Sequence, residues 1–260
     1  MVKRWLLGIT AVLLVVAMRP DQGLSQAADK VTLQLKWVTQ AQFGGYYAAK
    51  AKGLYSAEKL DVTIRPGGLD IVPEQVVAGG GAQFGIDWLP SLLSARDQGA
   101  PLVNISQVFA YSGMREIAFK SSGIKGPADL KGRRVAVWFG GNEFELLATL
   151  EKHKIDRNKD VTLVQQPFDM NLLLQKKVDA AAAMTYNEYK QMLDAGVKPG
   201  DLVVVDFNKE GTAMLEDGIF VNADGSPTRR TSRSPPASCA RPSRAGRSAG
   251  TSPPSAWRSY

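Results

Sequence analysis

LQLKWVTQAQFGGYYAAKAKGLY, residues 33–55, followed shortly by LDVTIRP at 60–66, reads as strand, helix, strand. Leu33 and Leu35 alternate with polar neighbours up to Trp37, whereas Phe43, Tyr46, Tyr47 and Ala51 keep helical spacing until Gly53 stops it. The chemistry at the junction is unusual: a tryptophan, Gln40, Gln42, two glycines and two tyrosines follow the strand.

The same alternation continues to Ala223. Strands are expected at 31–37, 60–66, 82–88, 101–109, 115–120, 133–140, 161–166, 178–184, 202–207 and 218–222, from β-rich runs such as FGIDW, RRVAVWFG and LVVVDF. Helices are expected between them: Val72 to Ala78 before GGG, Pro90 to Asp97 before Gly99, Phe144 to Leu150, Met170 to Lys177, and Asn187 to Ala195 before Gly196. No repeat of fixed period is present. Such βαβ order predicts an α/β fold with mostly parallel sheets and helices on both faces. In open sheets of this kind ligands sit beyond the carboxyl ends of the strands.

Both ends of the chain differ from this middle. Lys3 and Arg4 precede the apolar run Trp5 to Met18, and the small-residue site Ser25-Gln26-Ala27 follows. A helix of that run spans about 21 Å, short of the roughly 30 Å hydrocarbon core, so residues 1–27 read as a signal peptide and the mature protein as periplasmic. The net charge of +7 comes from residues 225–260, with seven arginines and no acid, leaving 25 basic and 25 acidic residues in 1–224. A neutral body argues against nucleic acid as partner. The tail, rich in Arg, Ser and Pro, has no helix or strand period and reads as disordered. Its abrupt change of composition suggests a truncated or frame-shifted C-terminal part. The sole cysteine, Cys239, cannot form an internal disulfide.

Three expected strands end at or next to a tryptophan, Trp37, Trp88 and Trp138, and a fourth supplies Tyr186. One such aromatic is ordinarily core packing. Four at equivalent ends suggest rings that clasp a flat ligand between faces about 7 Å apart, while amides and acids read its edge. The polar candidates are Gln40, Gln42, Asp87, Asn142, Glu143, Asn187 and Glu188, with Tyr46 on the first helix. Gly140 and Gly141 allow close backbone approach at the following helix start, although Glu143 has a simpler use beside the helix dipole. No GxSxG, HExxH or metal-ligand spacing occurs, and His153 lies in the charged stretch EKHKIDRNKD, so no catalytic residue, metal or cofactor is expected.

Six blocks, KWVTQAQFGGYYAAKAKGLY, LDVTIRPGG, EQVVAGGGAQFGIDWLPSLLSARDQGAPLVNISQ, GIKGPADLKGRRVAVWFGGNEF, AAAMTYNEY and LEDGIFV, carry a resemblance. The chain resembles the periplasmic solute-binding proteins of ABC importers, in the branch of thiamine-pyrimidine-precursor binders (ThiY-like) and sulfonate binders (SsuA-like), over about residues 31–222. The resemblance implies a type II-like, two-lobed fold with a hinge: lobe 1 at 28–111 plus 209–224, lobe 2 at 112–208. It implies a monomer that closes over a small heteroaromatic ligand, a thiamine pyrimidine precursor first, with riboflavin or a sulfonate as alternatives. The partner would be an ABC permease in the inner membrane. Relatives continue past LEDGIFV with helices that complete lobe 1; the arginine-rich tail stands there instead, which predicts exposed apolar surface. The superfamily also includes thiamine pyrimidine synthases, which use pyridoxal phosphate, iron, a histidine and a cysteine-rich motif; no cysteine precedes the tail and no histidine lies in the pocket blocks.

Overall fold

The computed structural model describes residues 27–225. The expectations for the leader, the tail and Cys239 fall outside these residues. All ten expected strands are present: β1 Asp29–Gln34, β2 Leu60–Arg65, β3 Phe84–Asp87, β4 Leu102–Gln107, β5 Met114–Phe119, β6 Arg134–Val137, β7 Thr162–Gln165, β8 Ala180–Met184, β9 Leu202–Asp206 and β10 Gly218–Asn222. Between them lie α1 Gly44–Ala51, α2 Leu54–Ala57, α3 Pro73–Ala78, α4 Leu89–Asp97, α5 Phe144–Lys152, α6 Asn171–Leu174, α7 Glu188–Asp194 and α8 Phe207–Glu210. The short helices α2 and α8 were not expected. The second forms because the Asp206 side chain accepts from the Asn208 N–H, and Gly211, at φ 71°, ends it in the left-handed region.

The strands form two five-stranded sheets, ordered β2-β1-β3-β10-β4 and β7-β6-β8-β5-β9. Pairing is parallel among β2, β1 and β3 and among β7, β6 and β8, while β10 and β5 run antiparallel to both of their neighbours. Each sheet is therefore mixed: four strands share a direction and the fifth is inserted against them.

Period-two alternation puts apolar side chains on both faces of the second sheet. Ala180 and Ala182 of β8 pack with Val135 and Val137 on one side, Ala181 and Ala183 with Ala136, Ile117 and Leu173 on the other. All five residues of β8 are buried, and alanine there lets the covering layers approach closely. In the first sheet, Leu33, Leu35, Val62 and Ile86 pack with Phe43, whereas Phe220 joins Val77, Leu92 and Leu102 on the other side. Gly85 faces Phe220 in the register, and a methyl group there would lie 2.3 Å from the phenyl ring. At the edge of this sheet, Val103 and Ile105 of β4 are 39% and 52% exposed.

The chain passes between the sheets at 108–113 and again at 207–217, and the two passages are tied to each other. Glu216 Oε1 accepts from the Gly113 N–H at 2.6 Å, and Asn208 both accepts from the Ser112 N–H and donates to its carbonyl. Glu145 of α5 bridges the pair: it accepts from the Met214 N–H at 2.6 Å and from the Ser112 hydroxyl at 3.0 Å. Burial raises both Glu145 and Glu216 to about 7, partly opposed by these hydrogen bonds.

A carboxyl raised on folding binds its proton more tightly in the native state, so its contribution is fully present below the unfolded value and fades as pH climbs through about 7. The melting temperature should thus be higher at pH 5 than at pH 8, and Glu145→Gln with Glu216→Gln should flatten that slope; calorimetric scans across this range measure both.

Candidate functional site

β1 and β3 are parallel neighbours at the centre of one sheet, as are β6 and β8 in the other. Their carboxyl ends lead into Lys36–Trp37, Trp88, Trp138 and Tyr186. In the second sheet the two strands are paired only as far as Ala136 and Ala181. Beyond that point the Gln166 amide takes over: it accepts from the Ala182 N–H at 2.9 Å and donates to the Ala182 carbonyl at 2.6 Å. The strands are thereby free to diverge, and a narrow cleft of about 20 Å³ lies at their ends. The first sheet contributes Lys36, Trp37, Gln40, Gln42 and Trp88 to it. The second contributes Trp138, Asn142, Met184, Tyr186 and Glu188.

The rings meet one another directly at the cleft. Trp37 meets Trp138 edge to face, with centroids 6.1 Å apart and planes at 67°, and lies 5.0 Å from Phe168 at 57°. Tilted and edge contacts match the positive rim of one ring to the negative face of another, so the indoles satisfy each other in this arrangement. Trp138 is fixed by its Nε1–H, which donates to the Pro167 carbonyl at 2.9 Å. Trp88 and Trp138, 1% and 3% exposed, also belong to the core cluster with Met114 and Met184. Trp37 is the half-buried ring, packed between clusters of both sheets.

Lys36 was not singled out in the sequence. Its ammonium lies 2.6 Å from Asp87, with side chains 7% and 2% exposed, and Asp87 also accepts from the Trp88 N–H at 2.6 Å. Asp87 therefore stands behind the cleft, holding its cation and the start of α4. Two further carboxyls surround the pair: burial raises Glu74 and Asp217 to about 8, aided by Asp87 at Glu74 and by Glu216 and then Asp87 at Asp217. Burial thus favours the protonated form of both, and Lys36 and Asp87 compensate each other as a charge pair.

Glu188 opens α7. Its carboxylate accepts from the Met184 N–H at 3.0 Å and from the Asn187 amide at 2.6 Å, and burial raises its pKa. The Tyr186 hydroxyl is buried with no partner among the described residues, and burial pushes it well above the phenol range. Tyr46 packs into the first sheet's core cluster away from the cleft lining. Gly140, Gly141 and Glu143 line a neighbouring cavity, while Asn142 between them faces the aromatic cleft. Glu143 turns back to accept from the Gly141 N–H at 2.7 Å, so its carboxylate holds its own loop. His153 pairs with Glu210 at 3.1 Å, outside the cleft lining.

Removing one member of the buried Lys36–Asp87 pair strands the other. Lys36→Met should destabilise the protein by about 3–5 kcal/mol, and adding Asp87→Leu should recover much of that loss; urea unfolding of the two variants measures the difference.

Comparison with known proteins agrees with this architecture. The chain is 27% identical over 213 residues to the riboflavin-binding protein RibY of Chloroflexus aurantiacus, covering 79% of this chain and 60% of that one. It is 31% identical over 130 residues to a 4-amino-5-hydroxymethyl-2-methylpyrimidine phosphate synthase of Legionella pneumophila, covering 49% and 41%. The periplasmic aliphatic sulphonate binding protein SsuA of Escherichia coli shares the fold, at TM-score 0.61 and 18% identity over 75% of this chain and 62% of that one. The chain thus spans less than two thirds of the length of each. The type II periplasmic binding protein architecture is shared with SsuA and, at TM-score 0.50, with an ancestral arginine-binding protein. Over residues 40–228 the sequence matches the NMT1/THI5 like family, and the chain belongs to it.

Proposed function

We propose that this protein is the substrate-binding component of an ABC importer and captures a small heteroaromatic solute, a thiamine pyrimidine precursor first, without covalent chemistry. One observation carries this reading: aromatic side chains at the carboxyl ends of the central strands of two separate sheets line one cleft. The lobes would be 28–111 with 209–224, and 112–208. The passages at 108–113 and 207–217, hydrogen-bonded to each other, would act as the hinge. Exported by its leader into the periplasm, a monomer of this kind presents its closed, ligand-filled form to a permease in the inner membrane.

In the bound state a flat ring would take the place of the Trp37 edge against Trp138 and exchange one aromatic contact for another. Trp37, Trp88, Trp138 and Tyr186 would supply apolar faces. Gln42, Asn142 and Glu188 would read the ring's edge, with Gln40 beside them. Glu188 suits an amino group, because it accepts hydrogen bonds from its surroundings. Asp87 would act through Lys36, and Gly140, Gly141 and Glu143 through the shape of their loop. Tyr46 would support the wall from behind.

A sulfonate fits this chemistry poorly. The Lys36 charge is compensated by Asp87, and Arg115 donates to the Ser112 and Met114 carbonyls and faces Asp206. Arg65 donates to the Gly81 carbonyl. A flavin is favoured as a second reading by the resemblance to RibY. Catalysis of the synthase type is disfavoured by the position of His153, engaged with Glu210.

Titration with 4-amino-5-hydroxymethyl-2-methylpyrimidine, riboflavin and an alkanesulfonate, read by intrinsic tryptophan emission, tests the proposal. A heteroaromatic ligand should quench emission, and Trp37→Ala should weaken it by about 1–3 kcal/mol, roughly 5- to 150-fold. Quenching by the sulfonate alone, or product formation with pyridoxal phosphate and iron, would overturn the reading.

A further inference from the structure

Gly113 lies in the first of the two passages between the sheets, directly before β5. Both of its backbone groups are committed: the N–H donates to Glu216 Oε1 of the other passage at 2.6 Å, and the carbonyl accepts from the Thr185 N–H at 2.9 Å. Thr185 precedes Tyr186, which lines the aromatic cleft. Gly113 is therefore fixed against the segment that carries this ring. Its φ lies outside the left-handed region, so the backbone would accept an L-residue, and what glycine supplies here is space.

A methyl group at this position would lie 2.9 Å from Tyr186 Cε1, 3.2 Å from Glu216 Oε1 and 3.3 Å from Thr185 Oγ1. Carbon atoms pack best at about 3.5–4.0 Å, so the Tyr186 ring would have to move by several tenths of an ångström. The other two neighbours are tethered to Gly113 itself, Glu216 through the Gly113 N–H and Thr185 through the Gly113 carbonyl. The Tyr186 side chain has no such tether: its hydroxyl is buried without a hydrogen-bond partner among the described residues. The ring packs against the core cluster that contains Trp88, Trp138 and Met184, and Trp138 is itself held by the Pro167 carbonyl. The side on which the ring can yield is the cleft. In a space of about 20 Å³ a shift of that size removes much of the room.

We propose that Gly113 is a specificity-determining position outside the cleft lining: the space left by its absent side chain lets the Tyr186 ring lie back, and this sets the room that the cleft leaves for a ligand ring. Gly113 acts through Tyr186 and is a positioning residue. This rests on the heteroaromatic reading above, and adds that a passage between the sheets, as well as the lining, selects the ligand.

A double-mutant cycle on the full chain tests this, read by calorimetric titration with 4-amino-5-hydroxymethyl-2-methylpyrimidine and with riboflavin. Gly113→Ala should weaken whichever ring binds by about tenfold, the usual scale of a methyl group forced into a filled space. Tyr186→Leu removes the ring that the methyl group would meet, so adding Gly113→Ala to it should change the affinity by less than about twofold. Melting temperatures follow the same cycle without ligand: Gly113→Ala should lower the transition in the parent chain and leave it nearly unchanged in the Tyr186→Leu chain. A Gly113→Ala chain that fails to fold alone should fold again when combined with Tyr186→Leu. Unchanged affinity in Gly113→Ala, or a loss of the same size in both backgrounds, would overturn the proposal while the heteroaromatic reading stands, because the methyl group would then act on the passage and not on the ring. Binding of neither ring by the parent chain would remove both.

Discussion

Two stretches of backbone join the sheets, and buried carboxyl groups hold both. Glu216 belongs to one passage and accepts from the other; Glu145 reaches from α5 to both. Each acceptor satisfies a backbone N–H that would otherwise be buried without a partner. The arrangement fixes where the second sheet begins and where the first resumes, and hence which strand ends face one another. The positions of Trp37, Trp88, Trp138 and Tyr186 follow from that constraint. The insertion of β5 and β10 against their neighbours follows as well, because each is the strand that the chain enters directly after crossing.

The cleft combines firm and yielding parts. Trp138 is held by its hydrogen bond to Pro167, and Trp88 by the core around it. Trp37 has only ring edges and faces to hold it at the cleft, so its displacement exchanges contacts of similar kind and strands no polar group. Below it, Lys36 and Asp87 form a pair that is expensive to break and contributes no free charge. Selectivity in such a site comes from shape and from amide and carboxyl groups more than from long-range attraction.

Most of the fold was legible because alternation and helical spacing are local properties. The run VDAAAAM shows the limit of propensity: alanine favours helices, yet β8 is a strand because it is central and covered on both faces. The convergence of aromatics at strand ends was legible for the same reason that the strands were. Lys36 was not, since a lysine beside Leu35 and Trp37 becomes a buried ion-pair member only through Asp87, fifty-one residues away. Glu216 and Asp217 were visible in LEDGIFV, but the burial that raises their pKa values is set by passages distant in sequence. Ring orientation is likewise tertiary: Trp37 meets Trp138 edge to face beside Phe168, and Trp138 is held by the Pro167 carbonyl. Gly140, Gly141 and Glu143 were legible as a loop at a helix start, while the neighbouring cavity that they line depends on α3 and α4, distant in sequence.

The edge-on meeting of Trp37 and Trp138 has an optical side. Two indoles in van der Waals range with obliquely crossed planes have coupled excited states, and such coupling is chiral. It gives the far-ultraviolet circular dichroism a paired positive and negative band that belongs to neither chromophore alone. Because one indole comes from each sheet, that doublet is a spectroscopic ruler across the gap, intrinsic to the unlabelled polypeptide.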